Sequence, residues 1–218
     1  MTQLPFTTAE FLAVFQAYNQ AVWPMQVVLV LVALVMLFLA IERPWNSDKA
    51  VSLMLGCLWF WAGAVYHVGF FTSINRAAYV FGAAFVLQAV LFLVAGVFRS
   101  DLSFEVRSNR YSWIGAALVA YALIVYPLLG SAWGHTYPAA PTFGVPCPTT
   151  IFTFGILLFA RSRVSGYLLV IPFSWSVIGF SSVINFGVLE DTGLLIAALL
   201  ATTLVIVRNR ALARLSSA

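Results

Sequence analysis

The chain has 218 residues, of which 62% are hydrophobic and only 8% are charged. Soluble domains are about one-quarter charged, so a soluble fold of this size could not cover its surface, and the composition predicts an all-α integral membrane protein. The net charge of +4 would suggest nucleic acid in a soluble chain. Here the basic residues flank apolar runs, so we expect the lipid bilayer and no nucleic acid as partner.

A separate helix is predicted before the first long apolar run, over residues 7–22. Thr7 and Glu10 have the spacing of a capping box, in which each side chain bonds the other residue's backbone N–H. Phe11, Phe15 and Tyr18 recur on one face. This pattern is typical of an amphipathic helix lying in the membrane interface.

Apolar runs suited to crossing a bilayer fill the rest of the chain. A crossing helix needs about 20 mostly apolar residues. The fifth run is shorter, and it crosses only where the bilayer thins or neighbouring helices shield its ends. The runs predict a single domain over residues 1–218 with seven transmembrane helices, near 24–41, 51–71, 76–98, 111–133, 148–161, 165–186 and 192–208.

The basic residues fall almost entirely into alternate connectors. Only Arg76 lies in the opposite set, and cytoplasmic connectors of membrane proteins carry the excess of Lys and Arg. The pattern therefore predicts seven crossings, an extracytoplasmic N-terminus and a cytoplasmic C-terminus. The residues on the predicted cytoplasmic side are Arg43, Lys49, Arg99, Arg107, Arg110, Arg161, Arg163, Arg208, Arg210 and Arg214.

This orientation gathers the chemically distinctive side chains on the extracytoplasmic side. Both histidines and one of the two cysteines lie there, in the outer ends of helices and in the loop "GHTYPAAPTFGVPCPTT". We expect a ligand or substrate pocket in this layer. Its predicted residues are Tyr66, His67, Asn75, Arg76, His135, Tyr137, Cys147, Thr150, Ser181 and Asn185.

Cys147 stands between two prolines at the predicted start of the fifth helix. The positive end of a helix dipole favours a thiolate, and so favours reactivity or metal binding. Alternatively, the cysteine packs as a small hydrophobic side chain. Cys57 lies ten residues before His67, about 15 Å deeper along the helix, and is expected only to pack.

The polar residues near the outer helix ends each allow two interpretations. His67 follows a long apolar run, where an ionisable group suggests function, or it bonds a backbone carbonyl or water. His135 is a ligand or a solvated loop residue. Arg76 is expected to pair with Glu10, Glu190 or Asp191, with anion binding as the alternative.

Several function classes lack their required residues. The only lysine is Lys49, in a predicted cytoplasmic connector, so a retinal Schiff base is excluded. Two histidines are too few for a membrane metallohydrolase, which needs about three ligands. No acidic residue is expected in the middle of a span, which argues against a carboxylate proton relay. The phosphate-loop and GxSxG motifs are absent.

A weak internal sequence similarity relates the first three predicted spans to the last three. "CLWFWAGAVYHVGFF" aligns with "IPFSWSVIGFSSVINF" on Trp61 and Trp175, which sets His67 opposite Ser181. This similarity predicts a parallel 3+1+3 repeat, and such repeats place a substrate path at their interface. The arrangement is similar to that of small SWEET-type sugar transporters, but their Pro-Gln pair is absent from this sequence.

Two stretches carry a resemblance to a known family: "YHVGFFTSINRAAYVFG" and "GHTYPAAPTFGVPCPTTIFTFG". The chain resembles a bacterial family of polytopic inner-membrane proteins classed as a domain of unknown function. The resemblance extends over most of the chain. It implies a bacterial inner-membrane location, and it brings no activity, cofactor or catalytic residue.

The leading hypothesis is a membrane protein that binds or transports a small solute or a soft metal ion in an extracytoplasmic pocket. Cu(I), Zn(II) or Hg(II) would be held by His67, Cys147 and His135. The alternatives are a redox protein with haem between His67 and His135, an enzyme that uses Cys147, activated by a histidine, as its nucleophile, and a structural or sensory subunit. Catalysis is the less favoured of these. Gly/Ala-rich helix faces allow packing within one chain or in a homo-oligomer.

Overall fold

The computed structural model describes residues 6–215, so the first five and last three positions of the predicted domain lie outside the described residues. The described residues form helices and no β-strand. Six of the helices, α2 to α5, α7 and α8, are long and apolar enough to cross a membrane. The helices are α1 (Thr8–Ala21), α2 (Met25–Glu42), α3 (Ser47–Ser73), α4 (Ala78–Phe98), α5 (Arg110–Ala132), α6 (Pro146–Leu158), α7 (Tyr167–Phe186) and α8 (Leu189–Leu215).

Helix α1 begins where the sequence predicts it. The capping box is confirmed: the Thr7 hydroxyl accepts from the Glu10 backbone N–H at 3.2 Å, and the Glu10 carboxylate accepts from the Thr7 N–H at 2.7 Å. The predicted face of Phe11, Phe15 and Tyr18 is buried. It packs against aromatic rings of α3 and α7, so α1 covers one end of the bundle.

Helix α1 is also attached to the bundle by polar contacts. The Trp61 indole N–H of α3 donates to the Tyr18 hydroxyl at 2.7 Å. Burial of that phenol, the dominant effect, raises the pKa of Tyr18 to about 12, although the bond from Trp61 opposes the rise. Tyr18 is therefore a neutral acceptor at physiological pH, and α1 is held in one orientation.

Helix α6 is the centre of the bundle. All of its residues except Cys147 are buried, and α5 and α8 pack along it. Its 13 residues extend about 20 Å, which is short of a bilayer core. Its first turn lies beside Asp191, and the backbone N–H of Glu105 donates to the Phe159 carbonyl just beyond its last turn. The helix therefore runs between the two ends of the bundle while neighbouring helices enclose it.

Arginines from three connectors meet at one end of the bundle. The Glu105 carboxylate pairs with Arg43 at 3.4 Å, with Arg107 at 2.5 Å and with Arg161 at 3.8 Å. Arg208 donates to the carbonyls of α6's last turn. We call this end the arginine end. The opposite end, which holds both histidines and Glu190, is the histidine end.

The ion pairs of Glu105 predict a dependence of stability on pH. The bond from Arg107, with a smaller attraction from Arg43 and Arg161, lowers the pKa of Glu105 from its ordinary value of 4.5. The stabilisation is therefore complete above the unfolded-chain pKa and is lost as the pH falls through the folded value. We expect Glu105→Gln to lower unfolding stability by less than about 1 kcal/mol at neutral pH, because the cluster is partly exposed.

The measurement is the unfolding temperature of wild type and variant between pH 3 and pH 7 in detergent. The difference should be largest near neutrality, shrink below about pH 4.5 and fall with added salt. Glu42→Gln is the matched control, because Glu42 is exposed near the same end. A difference between wild type and Glu105→Gln that persists at the lowest pH would contradict the assignment.

Cys57 lies on the outer surface of α3, where its side chain is exposed. The prediction that it packs in the interior is wrong, because position 57 falls on the side of the helix that faces away from the bundle. Its neighbours in sequence, Gly56 and Leu58, are buried instead.

Candidate functional site

Two adjacent carboxylates are buried at the histidine end, where α8 begins. Glu190 is 0% exposed and Asp191 is 2% exposed. The Asp191 carboxylate accepts from the Tyr126 hydroxyl of α5 at 2.6 Å and from the Ser182 hydroxyl of α7 at 2.5 Å. Three helices therefore fix the position of this one carboxylate.

Glu190 has a different set of partners. One of its carboxylate oxygens lies 2.9 Å from Nδ1 of His135, in the loop after α5. The other oxygen, Oε2, has no hydrogen-bond partner among the described residues. The loop approaches closely because Gly130 has no side chain: a Cβ there would lie 2.9 Å from the Glu190 carboxylate. Glu190 thus has one carboxylate oxygen paired with His135 and one without a partner among the described residues.

A cavity of about 140 Å³ lies on the Asp191 side of the pair. We call it the aromatic cavity. Its polar lining consists of Asn75, Cys147, Ser181, Ser182 and Asp191. Its remaining walls are mostly rings: Phe6, Phe11, Phe15, Tyr66, Phe71, Phe81, Tyr126, Trp175 and Phe186.

A second cavity, of about 530 Å³, lies on the Glu190 side. We call it the His135 cavity. Gln26, Ser131, Tyr137 and Thr142 also line it, and Tyr126 lines both cavities. The Gln26 side-chain oxygen, like Glu190 Oε2, is buried with no partner among the described residues. Glu190 and Asp191, the acidic pair, therefore lie between the two cavities, and one carboxylate lines each.

Cys147 contributes its thiol to the aromatic cavity, beside Trp175 and Asp191. Gly179 leaves room at this point: a Cβ there would lie 3.5 Å from the Cys147 sulfur and 3.4 Å from the Trp175 indole nitrogen. The neighbours of the thiol are thus an indole and a carboxylate, and the predicted imidazole partner is not among them.

His67 lies in a different environment from the one predicted. Its ring is fully buried and packs edge to face on Phe85 at 4.8 Å and on Trp175 at 4.9 Å between ring centroids. Neither ring nitrogen has a hydrogen-bond partner within residues 6–215. His67 lines neither cavity, because the ring of Trp175 lies beside it on the cavity side.

The predicted pocket residues divide among several places. Tyr66, Asn75, Cys147 and Ser181 line the aromatic cavity, while His135 and Tyr137 line the His135 cavity. The residues that line neither cavity are His67, Arg76, Thr150 and Asn185. Thr150 instead donates to the Pro146 carbonyl within α6 at 2.8 Å.

The three predicted metal ligands are not brought together. Within the described part of the chain, no group of three or more His, Cys, Asp or Glu side chains could hold a metal ion. His135 is paired with Glu190, His67 is enclosed by rings, and neither cavity is lined by both histidines.

The expected ion pair of Arg76 is also not formed. Each of its three expected acidic partners is engaged elsewhere: Glu10 with Thr7, Glu190 with His135 and Asp191 with two hydroxyls. The two acids of α8 lie inside the protein, out of reach of an arginine at the bundle surface, where Arg76 is exposed.

Tyr126, Trp175 and Ser182 were not predicted as site residues from the sequence, and Glu190 and Asp191 were named as expected partners of Arg76 but not as pocket residues. A signal was present in the sequence. "LEDTGLLIAALL" places two acids directly before an apolar run, and "VYPLLG" places a tyrosine inside another apolar run. Acidic and hydroxyl side chains at such positions need partners inside the bundle.

Residues 8–217 match a family of unknown function, DUF6064. The chain belongs to this family. The resemblance predicted from the sequence is thereby confirmed at the level of the family. No curated protein and no solved structure matches the chain. The family supplies no activity, so the argument for function depends on the geometry of the site.

The bond between Tyr126 and Asp191 predicts a measurable loss of stability. In Tyr126→Phe the buried carboxylate loses one of its two hydroxyl donors, which we expect to cost about 2 kcal/mol in the free energy of unfolding. Tyr79→Phe is the control, because Tyr79 is 58% exposed. Equal unfolding temperatures for the two variants would show that the bond to Asp191 contributes little.

Proposed function

We propose that this protein is a multi-pass protein of the bacterial inner membrane that binds a small solute in the aromatic cavity. The chain crosses seven times as one domain, with the N-terminus and the histidine end extracytoplasmic and the C-terminus and the arginine end cytoplasmic. The gathering of arginines at one end supports this orientation by the positive-inside rule. The enclosed path of α6 from end to end supports the seventh crossing.

The orientation predicts which loops are reachable from outside the cell. In a chain with Cys57 and Cys147 replaced by serine, we place a single cysteine at Thr136 or at Ser108; both side chains are exposed, at the histidine and arginine ends respectively. A membrane-impermeant maleimide should label Thr136→Cys in intact cells, and Ser108→Cys only after permeabilisation. The reverse pattern would refute the orientation.

The observation that carries the proposed binding function is the aromatic cavity itself. Binding sites for small molecules are concave and mostly apolar, with a few convergent polar groups. Here rings form the walls, and Asp191, Ser182 and Cys147 converge on the space. An apolar cavity of about 150 Å³ accommodates a molecule the size of benzene, so about 140 Å³ suits a compact solute.

The second cavity favours transport over binding alone. Tyr126 and Pro141 line both spaces, and the acidic pair supplies one carboxylate to each. A solute that enters the aromatic cavity thus has a neighbouring polar space on the other side of Tyr126. Uptake into proteoliposomes is the measurement that separates a transporter from a binding protein.

Binding is tested with the purified protein in dodecylmaltoside. Its unfolding temperature is measured with a panel of amines, quaternary ammonium compounds, amino acids, sugars, Zn²⁺ and haem. A ligand that binds only the folded protein raises that temperature, and the rise grows with the ligand concentration relative to its Kd. We expect at least one compact solute to stabilise wild type, and to lose its effect in Cys147→Leu, where the larger side chain fills the cavity.

Cys57→Leu is the matched control, because the same substitution falls on the exposed face of α3. It should respond to the solute as wild type does. If no panel member stabilises wild type, or if the two leucine variants respond alike, solute binding in the aromatic cavity is refuted. A structural or sensory subunit is then the better description.

Two further candidates have their own readouts in the same preparation. Stabilisation by haem, together with a Soret absorption band, would favour the redox hypothesis over solute binding. Catalytic turnover that forms an acylated or alkylated product and depends on Cys147 would favour the enzyme hypothesis. Neither is supported by the contacts of His67, His135 and Cys147 as strongly as solute binding is by the cavity.

A further inference from the structure

The acidic pair has too little positive charge around it. Asp191 accepts from two hydroxyls and lies within hydrogen-bonding reach of the Cys147 thiol, and Glu190 pairs only with His135. No lysine or arginine within residues 6–215 forms an ion pair with either carboxylate. Burying a carboxylate without a counter-charge is costly. A cation bound beside the pair would offset this cost.

The space next to Asp191 has the lining that organic cations favour. Faces of Trp, Tyr and Phe attract cations through the ring quadrupole, most strongly when water is excluded. Trp175, Tyr66 and Phe71 are rings of this lining, and each is at least nine-tenths buried. The hydroxyls of Tyr126 and Ser182 already donate to Asp191, which leaves few oxygen ligands for an inorganic ion. Alkylated ammonium groups bind the rings without hydrogen bonds.

A second polar feature of the cavity points to a ligand with an acceptor atom. The Trp175 indole N–H is buried beside the Cys147 sulfur and has no oxygen or nitrogen acceptor among the described residues. A buried donor without a strong acceptor is unfavourable. A hydroxyl or similar oxygen on the ligand would accept this hydrogen bond while its ammonium group faces Asp191.

We propose that the aromatic cavity selects a compact organic cation: an alkylated ammonium group carrying a short arm with an oxygen acceptor. This rests on the proposed binding of a small solute in that cavity. Asp191 supplies the counter-charge, the rings surround the alkyl groups, and Trp175 donates to the acceptor. A cavity of about 140 Å³ suits a compact cation, such as a trimethylammonium group with a two-carbon arm.

The test compares choline with 3,3-dimethylbutan-1-ol, its neutral isostere, in which carbon replaces the charged nitrogen. Dissociation constants are measured by calorimetry on the full chain in dodecylmaltoside. We expect wild type to bind choline at least about ten-fold more tightly than the alcohol, since both the rings and Asp191 favour the charge. Equal affinities, or tighter binding of the alcohol, would overturn the proposed cation selectivity.

Substitutions assign the preference to Asp191. Asp191→Asn keeps the shape of the side chain and should reduce the choline preference to less than about three-fold. Asp101→Asn, at the arginine end where Asp101 pairs with Arg99 at 3.0 Å, should keep the wild-type preference. A full preference in folded Asp191→Asn would overturn the role of Asp191. If that variant does not fold, the wild-type comparison still decides the ligand class.

Failure of this inference is distinguishable from failure of the proposed function. A neutral panel solute that stabilises wild type but not Cys147→Leu, with no choline binding, overturns the cation and leaves the cavity as a binding site. No response to any solute overturns both.

The same ammonium chemistry occurs in free solutes and in phospholipid headgroups. Competition of dihexanoylphosphatidylcholine with choline would identify a headgroup as the source. Choline binding that this lipid does not displace would identify a free solute. Either result is consistent with the ligand class, and the small volume of the cavity leads us to expect the free solute.

Discussion

Replacing Asn19 with leucine is expected to lower the free energy of unfolding by about 4 kcal/mol. The Asn19 amide is fully buried and donates to the carbonyls of Pro138 at 2.7 Å and Ala140 at 2.8 Å. Its oxygen accepts from Thr142 at 2.7 Å and from Gln26 at 3.2 Å. Leucine fills the same space and satisfies none of these groups, each of which costs about 1–3 kcal/mol when left unpaired and buried.

The effect should reach the proposed binding site as well. Asn19 attaches α1 to the loop that ends at Cys147, and the buried face of α1 covers the aromatic cavity. We expect Asn19→Leu to unfold at a lower temperature in detergent and to lose the stabilisation that a bound solute gives to wild type.

Asn185→Leu is the matched control, because Asn185 is exposed on α7 near the same end. Its unfolding temperature should stay close to that of wild type. If the two leucine variants were equally stable, the bonds of Asn19 would contribute nothing beyond those it makes with water in the unfolded chain.

The helices were predictable because long apolar runs are a strong and local signal. The runs near 24–41, 76–98 and 111–133 became helices with nearly those bounds. The capping box of α1 was equally local, since Thr7 and Glu10 are three positions apart. The six long helices thus follow from composition and length alone, and the family membership agrees with the resemblance.

The character of α6 depends on tertiary packing. Its 13 residues fall below the length that a bilayer requires. Neighbouring helices and the segments around Phe104 and Val164 enclose it, and these contacts join residues far apart in sequence. The local sequence therefore predicts the helix, but it does not predict the residues that surround it.

Four of the ten predicted site residues meet at one cavity. Tyr66, Asn75, Cys147 and Ser181 line one cavity because the order of the helices brings their ends together. The direction in which a side chain points was not predictable: His67 turns into a cluster of rings, and Asp191 turns inward to Tyr126, 65 positions away. Periodicity finds a buried face, but it does not pair the faces of different helices.

Replacing Gly155 with leucine is expected to be among the most damaging single changes to this fold. Gly155 and Gly115 face each other where α5 crosses α6: a Cβ on Gly155 would lie 2.8 Å from the Gly115 carbonyl oxygen and 2.7 Å from a methyl group of Val119. Small residues let membrane helices approach to backbone contact. A leucine would force the helices apart, at a cost of about 3 kcal/mol or more.

Gly166→Leu is the matched control, because a Cβ on Gly166 meets open space at the start of α7. The comparison is made by unfolding temperature and by the yield of folded protein in detergent. Displacement of α6 would also move Cys147, so any residual folded Gly155→Leu should bind solute more weakly, while Gly166→Leu should bind as wild type does. Equal stability of the two variants would mean that α5 and α6 are not in backbone contact. The central position of α6 in the bundle would then have to be abandoned.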